Sequence, residues 1–246
     1  MTAPFPTHKQ EDWRYADLDA LLPVWEQFAE PVTLTVGAGE SLEEVWLPLA
    51  DEVQLRRVQF ALGAGARARI FVLNSAAIYG RTELQVSLAE GADFELFGAN
   101  IGSGLSTNEI VTTVKHAGPG GRSRQVIRSV LNGKAVGSYL GKIEVSRGAQ
   151  QTDAEQSAKA MLLDRGATAN CKPELEIFAD DVKCAHGATV GELDAMQLFY
   201  AESRGLDPAS ARALLLEGFV MGLWDTAQEA VPICEAAREA LRRVVA

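Results

Sequence analysis

The chain has 246 residues, 47% apolar and 23% charged, with 23 Lys and Arg against 33 Asp and Glu for a formal net charge of −10. That balance belongs to a folded protein long enough to bury a substantial core, and its carboxylate surplus argues against nucleic acid, whose phosphates need a basic field. No apolar run approaches the roughly 18 residues of a membrane helix. The opening MTAPFPTHKQEDWRY lacks the apolar stretch of a secretory signal, and three cysteines without CxxC spacing form no disulfide framework. The expectation is an acidic cytoplasmic protein with no membrane partner.

Residues 1–30 read as an N-terminal helical segment, with 18–22 and 24–28 as short helices interrupted by Pro23. Residues 31–191 read as many short strands, among them VTLTV (32–36), RARIFVL (67–73), TELQVSL (82–88) and ADFELFG (92–98). Most alternate apolar and polar residues, the mark of a strand with one buried face. A Gly-Ala pair recurs between them, at Gly63, Gly65, Gly91, Gly148, Gly166 and Gly187. Spacings of about 20 to 30 residues, built from strands and glycine turns, favour a β-solenoid, whose coils bury their inner faces by stacking. A β-sandwich is the rival, but it calls for two-residue hairpins and the chain has a single Asn-Gly, Asn132-Gly133.

Residues 192–246 read as a C-terminal helical domain. Thr189 to Glu192 can form a capping box ahead of Leu193, Met196, Leu198, Phe199 and Tyr200, and Gly205 stops that helix. Asp207-Pro208 restarts the chain as N-cap and first helical residue. The helix over 209–224 carries Leu214, Leu215, Phe219, Val220 and Leu223, compatible with one apolar face. Asp225 to Gln228 then reads as the cap of a last helix, with Arg238, Arg242 and Arg243 near its C-terminal end.

The chain has no GxxxxGK[ST] loop, no GxSxG elbow, no HExxH and no strand-to-helix GxGxxG, so the commonest nucleotide, hydrolase and zinc-protease sites are missing. Reactive side chains concentrate instead in CKPELEIFADDVKCAHGATVG (171–191). On a strand, residues two apart share a face, so Val182, Cys184 and His186 project together. Three readings fit that pair: a packed thiol with a hydrogen-bonded imidazole, two ligands of a metal or iron–sulfur cluster, or a Cys/His nucleophile pair. Two ligands cannot close a tetrahedral site, so a metal there needs others from elsewhere in the chain or from a partner. Asp180 and Asp181, read as a solvated turn, also leave open a carbohydrate-active β-helix enzyme. Cys171 reads as packed near a coil turn, Cys234 as core, and His116 as a structural residue before a glycine-rich loop.

The stretch KPELEIFADDVKCAHGATVGELDAMQLFYAESRG (172–205), with GKIEVSRGAQQTDAEQSAKAMLL (141–163) upstream and EDWRYADL (11–18) near the start, resembles the SufD subunits of the SUF iron–sulfur cluster assembly machinery, in the SufB/SufD family. The resemblance implies a right-handed parallel β-helix between terminal helical regions. It implies a non-catalytic scaffold that pairs with a SufB-like paralogue, docks a SufC-type ABC ATPase through its C-terminal helices, and forms homodimers when alone. It further implies a transient iron–sulfur cluster at the subunit interface, with none permanently bound. Cys184 and His186 fall on that family's Cys-x-His pair, of which His186 is the better candidate cluster ligand. Leu214, Leu215, Phe219, Val220 and Leu223 are the candidate partner-binding face. The family's usual Ser-Lys-Pro-Glu/Gln reads Cys171-Lys172-Pro173-Glu174 here, and the chain is short for the family.

Overall fold

In the computed structural model, which describes residues 4–49 and 52–245, the chain winds into a parallel β-helix with two walls. The first wall stacks β1 (Val32–Val36), β3 (Val53–Leu62), β5 (Tyr79–Leu88), β7 (Thr107–His116), β9 (Val136–Val145) and β11 (Thr168–Ile177) in that order. The second stacks β2 (Ser41–Trp46), β4 (Arg67–Asn74), β6 (Asp93–Gly102), β8 (Arg122–Leu131), β10 (Asp153–Leu162) and β12 (Lys183–Gly191). Every pairing between neighbours is parallel. One coil therefore contributes one strand to each wall. Val32 pairs with Val58, Tyr79 with Thr107, and Val136 with Thr168, so the coils lengthen toward the C-terminal end.

The expected solenoid follows from the alternation. In β10 the side chains of Ala154, Gln156, Ala158 and Ala160 are buried, while Asp153, Glu155 and Lys159 face solvent. Phe60, Ile70, Leu84, Phe94, Ile110 and Ile127 fill the space between the walls. Glycine makes the turns: Gly65 and Gly91 adopt φ of 65° and 64°, open to glycine at no steric cost. At Gly118 the constraint is contact, since a Cβ there would sit 2.4 Å from the backbone nitrogen of Glu90 on the neighbouring turn. Asn132-Gly133 joins β8 to β9, from one wall to the other within a coil, and makes no hairpin. Gly187 departs from the turn pattern, because it lies inside β12.

Each wall is sheathed on its outer face by one end of the chain. The N-terminal segment has α1 (Leu18–Leu21) and α2 (Trp25–Phe28) joined by a 3-10 turn, Leu22–Val24, that holds Pro23. It packs Trp13, Leu21 and Trp25 against Leu55 and Tyr79 of the first wall. Beneath it lies a buried charge cluster: Arg81 pairs with Glu83 at 3.0 Å and Glu109 at 3.3 Å, Tyr79 donates to Glu109, and the Arg81 guanidinium lies 3.7 Å from the Trp13 ring centre. On the second wall, α4 (Pro208–Met221) and α5 (Ala230–Val245) bury Phe71, Leu73, Phe97, Ala99 and Val130. That covering explains why RIFVLN reads as an almost unbroken apolar run: both of its faces are interior.

The C-terminal boundaries differ from the sequence reading at three places. Thr189 to Gly191 remain in β12, held by parallel pairing to β10, so the cap of α3 (Ala195–Ser203) is Asp194, whose carboxylate accepts from Met196 N and Gln197 N. Asp207 caps α4 as expected, accepting from Ala209 N and Ser210 N, and Gly205 takes φ of 96° after α3. The helix ends at Met221, leaving Leu223 and Trp224 in the turn that follows. Asp225 to Gln228 does not open α5, which starts at Ala230; Gln228 N instead donates to Glu43 on β2 at 2.6 Å.

Candidate functional site at the open end of the β-helix

The last coil is unlike those before it. β11 and β12 are the terminal strands of their walls, so each has one hydrogen-bonding edge without a strand neighbour. Cys184 pairs in register with Ala154, and His186 with Gln156. Both therefore extend inward-facing rows of the second wall: Ala68, Phe94, Ser123 and Ala154 precede Cys184, while Ile70, Leu96, Gln125 and Gln156 precede His186. The shared face expected of Val182 and Cys184 is present, since both pack on Ile143, Val145 and Ala154. His186 is exposed, because no further coil covers it. Cys171, on β11, takes the inward row of Tyr139 and packs against the main core.

Burial sets the chemistry of the thiols. It pushes Cys171 upward, and it pushes Cys184 upward with the Asp153 charge adding to the effect. Both sulfurs are thiols at neutral pH, and an arriving cation is what converts such a group to a thiolate ligand. Among the described residues no three His, Cys, Asp or Glu side chains converge closely enough to hold a metal ion.

Gln156 is not among the candidate site residues read from the sequence. Its side chain is 1% exposed, and neither its Nε2 nor its Oε1 meets a partner. The preceding residue in the row, Gln125, accepts from Thr112 Oγ1 at 2.6 Å and Tyr139 OH at 3.2 Å, with its Nε2 unpaired. A polar file thus runs inside the β-helix and surfaces at His186. The available signal was a Gln on the inward beat of AEQSAKA, where the other inward residues are alanines.

The other sequence candidates separate. Asp180 and Asp181 lie in an exposed bend before β12, and the cavity of about 430 Å³ that Asp181 shares with Asp153, Arg122 and Lys183 has no aromatic lining for a sugar ring to stack on. Val220 and Leu223 are buried against the second wall, Phe219 packs at the edge of that core, Leu215 is half-buried and Leu214 is 57% exposed. Most of the apolar face of α4 is therefore spent inside the chain. Exposed apolar surface is found instead on α3, at Met196, Phe199 and Tyr200. Cys234 is half-buried on α5, and His116 ends β7 fully buried, with Nε2 2.9 Å from Ser123 Oγ.

A family model described as "SUF system FeS cluster assembly, SufBD core domain" matches residues 44–219, which hold every strand from β3 to β12, the Cys-x-His pair and most of α4. The chain belongs to the SufBD family. Among SufBD relatives, an iron-sulfur cluster assembly SufBD family protein of Synechocystis is 34% identical over 176 residues, covering 71% of this chain and 39% of the relative. The iron-sulfur cluster assembly protein SufD of Escherichia coli is 28% identical over 201 residues, 80% of this chain and 47% of that protein. The chloroplastic protein ABCI7 of Arabidopsis thaliana is 45% identical over 104 residues, 41% of this chain and 22% of that protein. The chain spans less than half the length of these relatives.

Proposed function

We propose that this protein is a cytoplasmic, non-catalytic scaffold for iron–sulfur cluster assembly, with the nascent cluster as its cargo. The observation that carries the reading is the place of Cys184 and His186: adjacent inward-row positions on a terminal strand with a free edge. A SufB-like paralogue adding its own strands beside β11 and β12 would continue the walls and enclose the two side chains, supplying the ligands that a tetrahedral iron needs beyond this pair. The same edges suit a second copy of this chain when the paralogue is absent. Cluster iron would convert the Cys184 thiol to thiolate, and His186 offers an imidazole, a borderline ligand, beside it.

Coupling to a SufC-type ABC ATPase would run through the helices after β12. Met196, Phe199 and Tyr200 on α3, Leu214 on α4 and Val231 on α5 are exposed apolar side chains there. Val220 on α4 and Leu223 in the turn after it would transmit rather than touch, since both pack on the second wall.

Two experiments test the reading. His186→Ala in the complex purified anaerobically with its co-expressed partners is expected to lower bound iron and acid-labile sulfide while leaving circular dichroism unchanged; unaltered iron content counts against the assignment. Phe199→Asp combined with Leu214→Asp is expected to abolish co-purification of the ATPase subunit without unfolding the chain. Retention of the ATPase would show that it docks elsewhere.

A further inference from the structure

The outer face of the second wall carries three rows of charged residues, and two of them alternate in sign. Arg67, Asp93, Arg122, Asp153 and Lys183 follow one another in register. Glu43, Arg69, Glu95, Arg124 and Glu155 do the same, with Arg69 3.0 Å from both Glu43 and Glu95. The third row breaks the rule. Arg128 pairs in register with Lys159, placing two cations on neighbouring strands about 4.8 Å apart. Among the described residues no carboxylate comes within ion-pair distance of either, and like charges directly opposite one another destabilise a sheet. A chain with a net charge of −10 has carboxylates to spare, yet among the described residues none pairs with these two.

A cavity of about 520 Å³ lies between this face and α4, lined by Arg124 and Arg128 and by one carboxylate, Glu95, which Arg69 engages at 3.0 Å; Lys159 is outside the lining and adjoins it through its pairing with Arg128. Arg124 stacks over Phe97 at 5.8 Å and Arg128 over Phe219 at 5.7 Å, so the aromatic rings restrain both guanidinium groups. The second carboxylate neighbour of the site, Glu155, stands 3.8 Å from Arg124 with both side chains more than half exposed, a pair that salt readily screens. Gly218 and Gly222 leave the helix side of the cavity open, where a Cβ on Gly218 would meet nothing. Burial and the Arg124 charge both push Arg128 below the ordinary arginine range, the direction expected of a cation lacking its counter-ion.

We propose that Arg124 and Arg128 inside the cavity, with Lys159 at its edge, bind the phosphate group of a small molecule whose apolar portion lies along Phe97 and Phe219. Guanidinium forks recognise phosphate in two-point contact and an ammonium adds charge without directional demand. The cavity falls within the usual range of ligand pockets, roughly 300–1,000 Å³, and exceeds what a bare phosphate would fill. This site is on the outer face of the second wall, whereas Cys184 and His186 extend its inward-facing rows, and it does not depend on the cluster-assembly reading.

The test is calorimetric titration of the full chain with phenyl phosphate, inorganic phosphate and a hexaglutamate peptide, on wild type, Arg128→Gln, Lys159→Gln and the remote control Lys115→Gln. Phenyl phosphate is expected to bind saturably and tighter than inorganic phosphate, with a loss of about tenfold or more in Arg128→Gln and in Lys159→Gln and none in Lys115→Gln. Without ligand, Lys159→Gln is expected to melt no lower than wild type, because a repulsion has been removed; a lower midpoint would mark the pair as structural and overturn the proposal. Absence of saturable phosphate binding at millimolar concentration overturns it, as does undiminished binding by Arg128→Gln. Tighter binding of hexaglutamate than of phenyl phosphate overturns it in favour of an acidic protein segment.

Discussion

His116 shows how one buried side chain makes stability depend on pH. It is fully buried at the end of β7, and burial pushes its pKa down from 6.5 to about 4. The unfolded chain therefore takes up a proton near pH 6.5 that the folded chain refuses until about pH 4. The contribution of the neutral imidazole, up to about 3 kcal/mol, is complete above the unfolded value and drains away as pH falls across that window. Replacing His116 with Gln, which can keep the contact to Ser123 Oγ, should flatten the pH dependence of urea unfolding between pH 4 and 6.5 relative to wild type. A parallel pair of curves would show that other groups set the slope. The cluster of Arg81, Glu83 and Glu109 would not substitute for His116 in that role: Glu83 is lowered by its arginines despite burial, whereas burial raises Glu109, so the two carboxylates work in opposite directions.

At the scale of the element, the α4 start tests capping most directly. Asp207 accepts from Ala209 N and Ser210 N, each at 3.0 Å, and its second oxygen accepts from Ser210 Oγ at 2.6 Å. Asp207→Ala should cost about 1 kcal/mol, read as increased amide hydrogen exchange in the first turn of α4 with the β-helix unaffected. This cap was legible from Asp-Pro alone, whereas alternation and glycine spacing only favoured stacked coils over a sandwich. The parallel β-helix came with the family resemblance, and the two walls were read from neither. The start of α3 was not legible, because Thr189 to Gly191 satisfy a capping pattern locally while parallel pairing to β10 keeps them extended. Tertiary hydrogen bonds outweighed a local motif there. The Cys184 and His186 face was visible in a two-residue spacing, whereas their position at an uncovered end depends on which coil is last, and no local pattern encodes that. Gln156 and the Arg128–Lys159 pair stayed hidden for the same reason: their meaning lies in the row, across strands about 30 residues apart.

The whole molecule is a β-helix whose walls are clothed from opposite ends of the chain. The N-terminal segment does more than cover apolar surface, for it also seals Arg81 and Glu109, at 1% and 0% exposure, away from water. Deleting residues 1–30 should therefore expose Tyr79, Leu55 and a charge cluster built for a dry setting. Increased binding of a hydrophobic dye and a lowered thermal midpoint are expected, and a truncated chain with unchanged melting would show that the coils suffice alone. The C-terminal helices play the matching part on the second wall, where Trp224 is fully buried and its Nε1 donates to Phe97 O at 3.3 Å.

Glu11 and Trp13 share one 3-10 turn, Glu11–Trp13, and Glu11 forms an ion pair with Lys172 on β11. An indole resting on Arg81 is thereby tethered, two residues away, to the strand at the open end. The chain thus contains an intrinsic fluorophore wired to its uncovered edge: if another subunit engages β11 as proposed, the contact would reach Trp13 through Glu11, and its emission would register docking in real time without any added label.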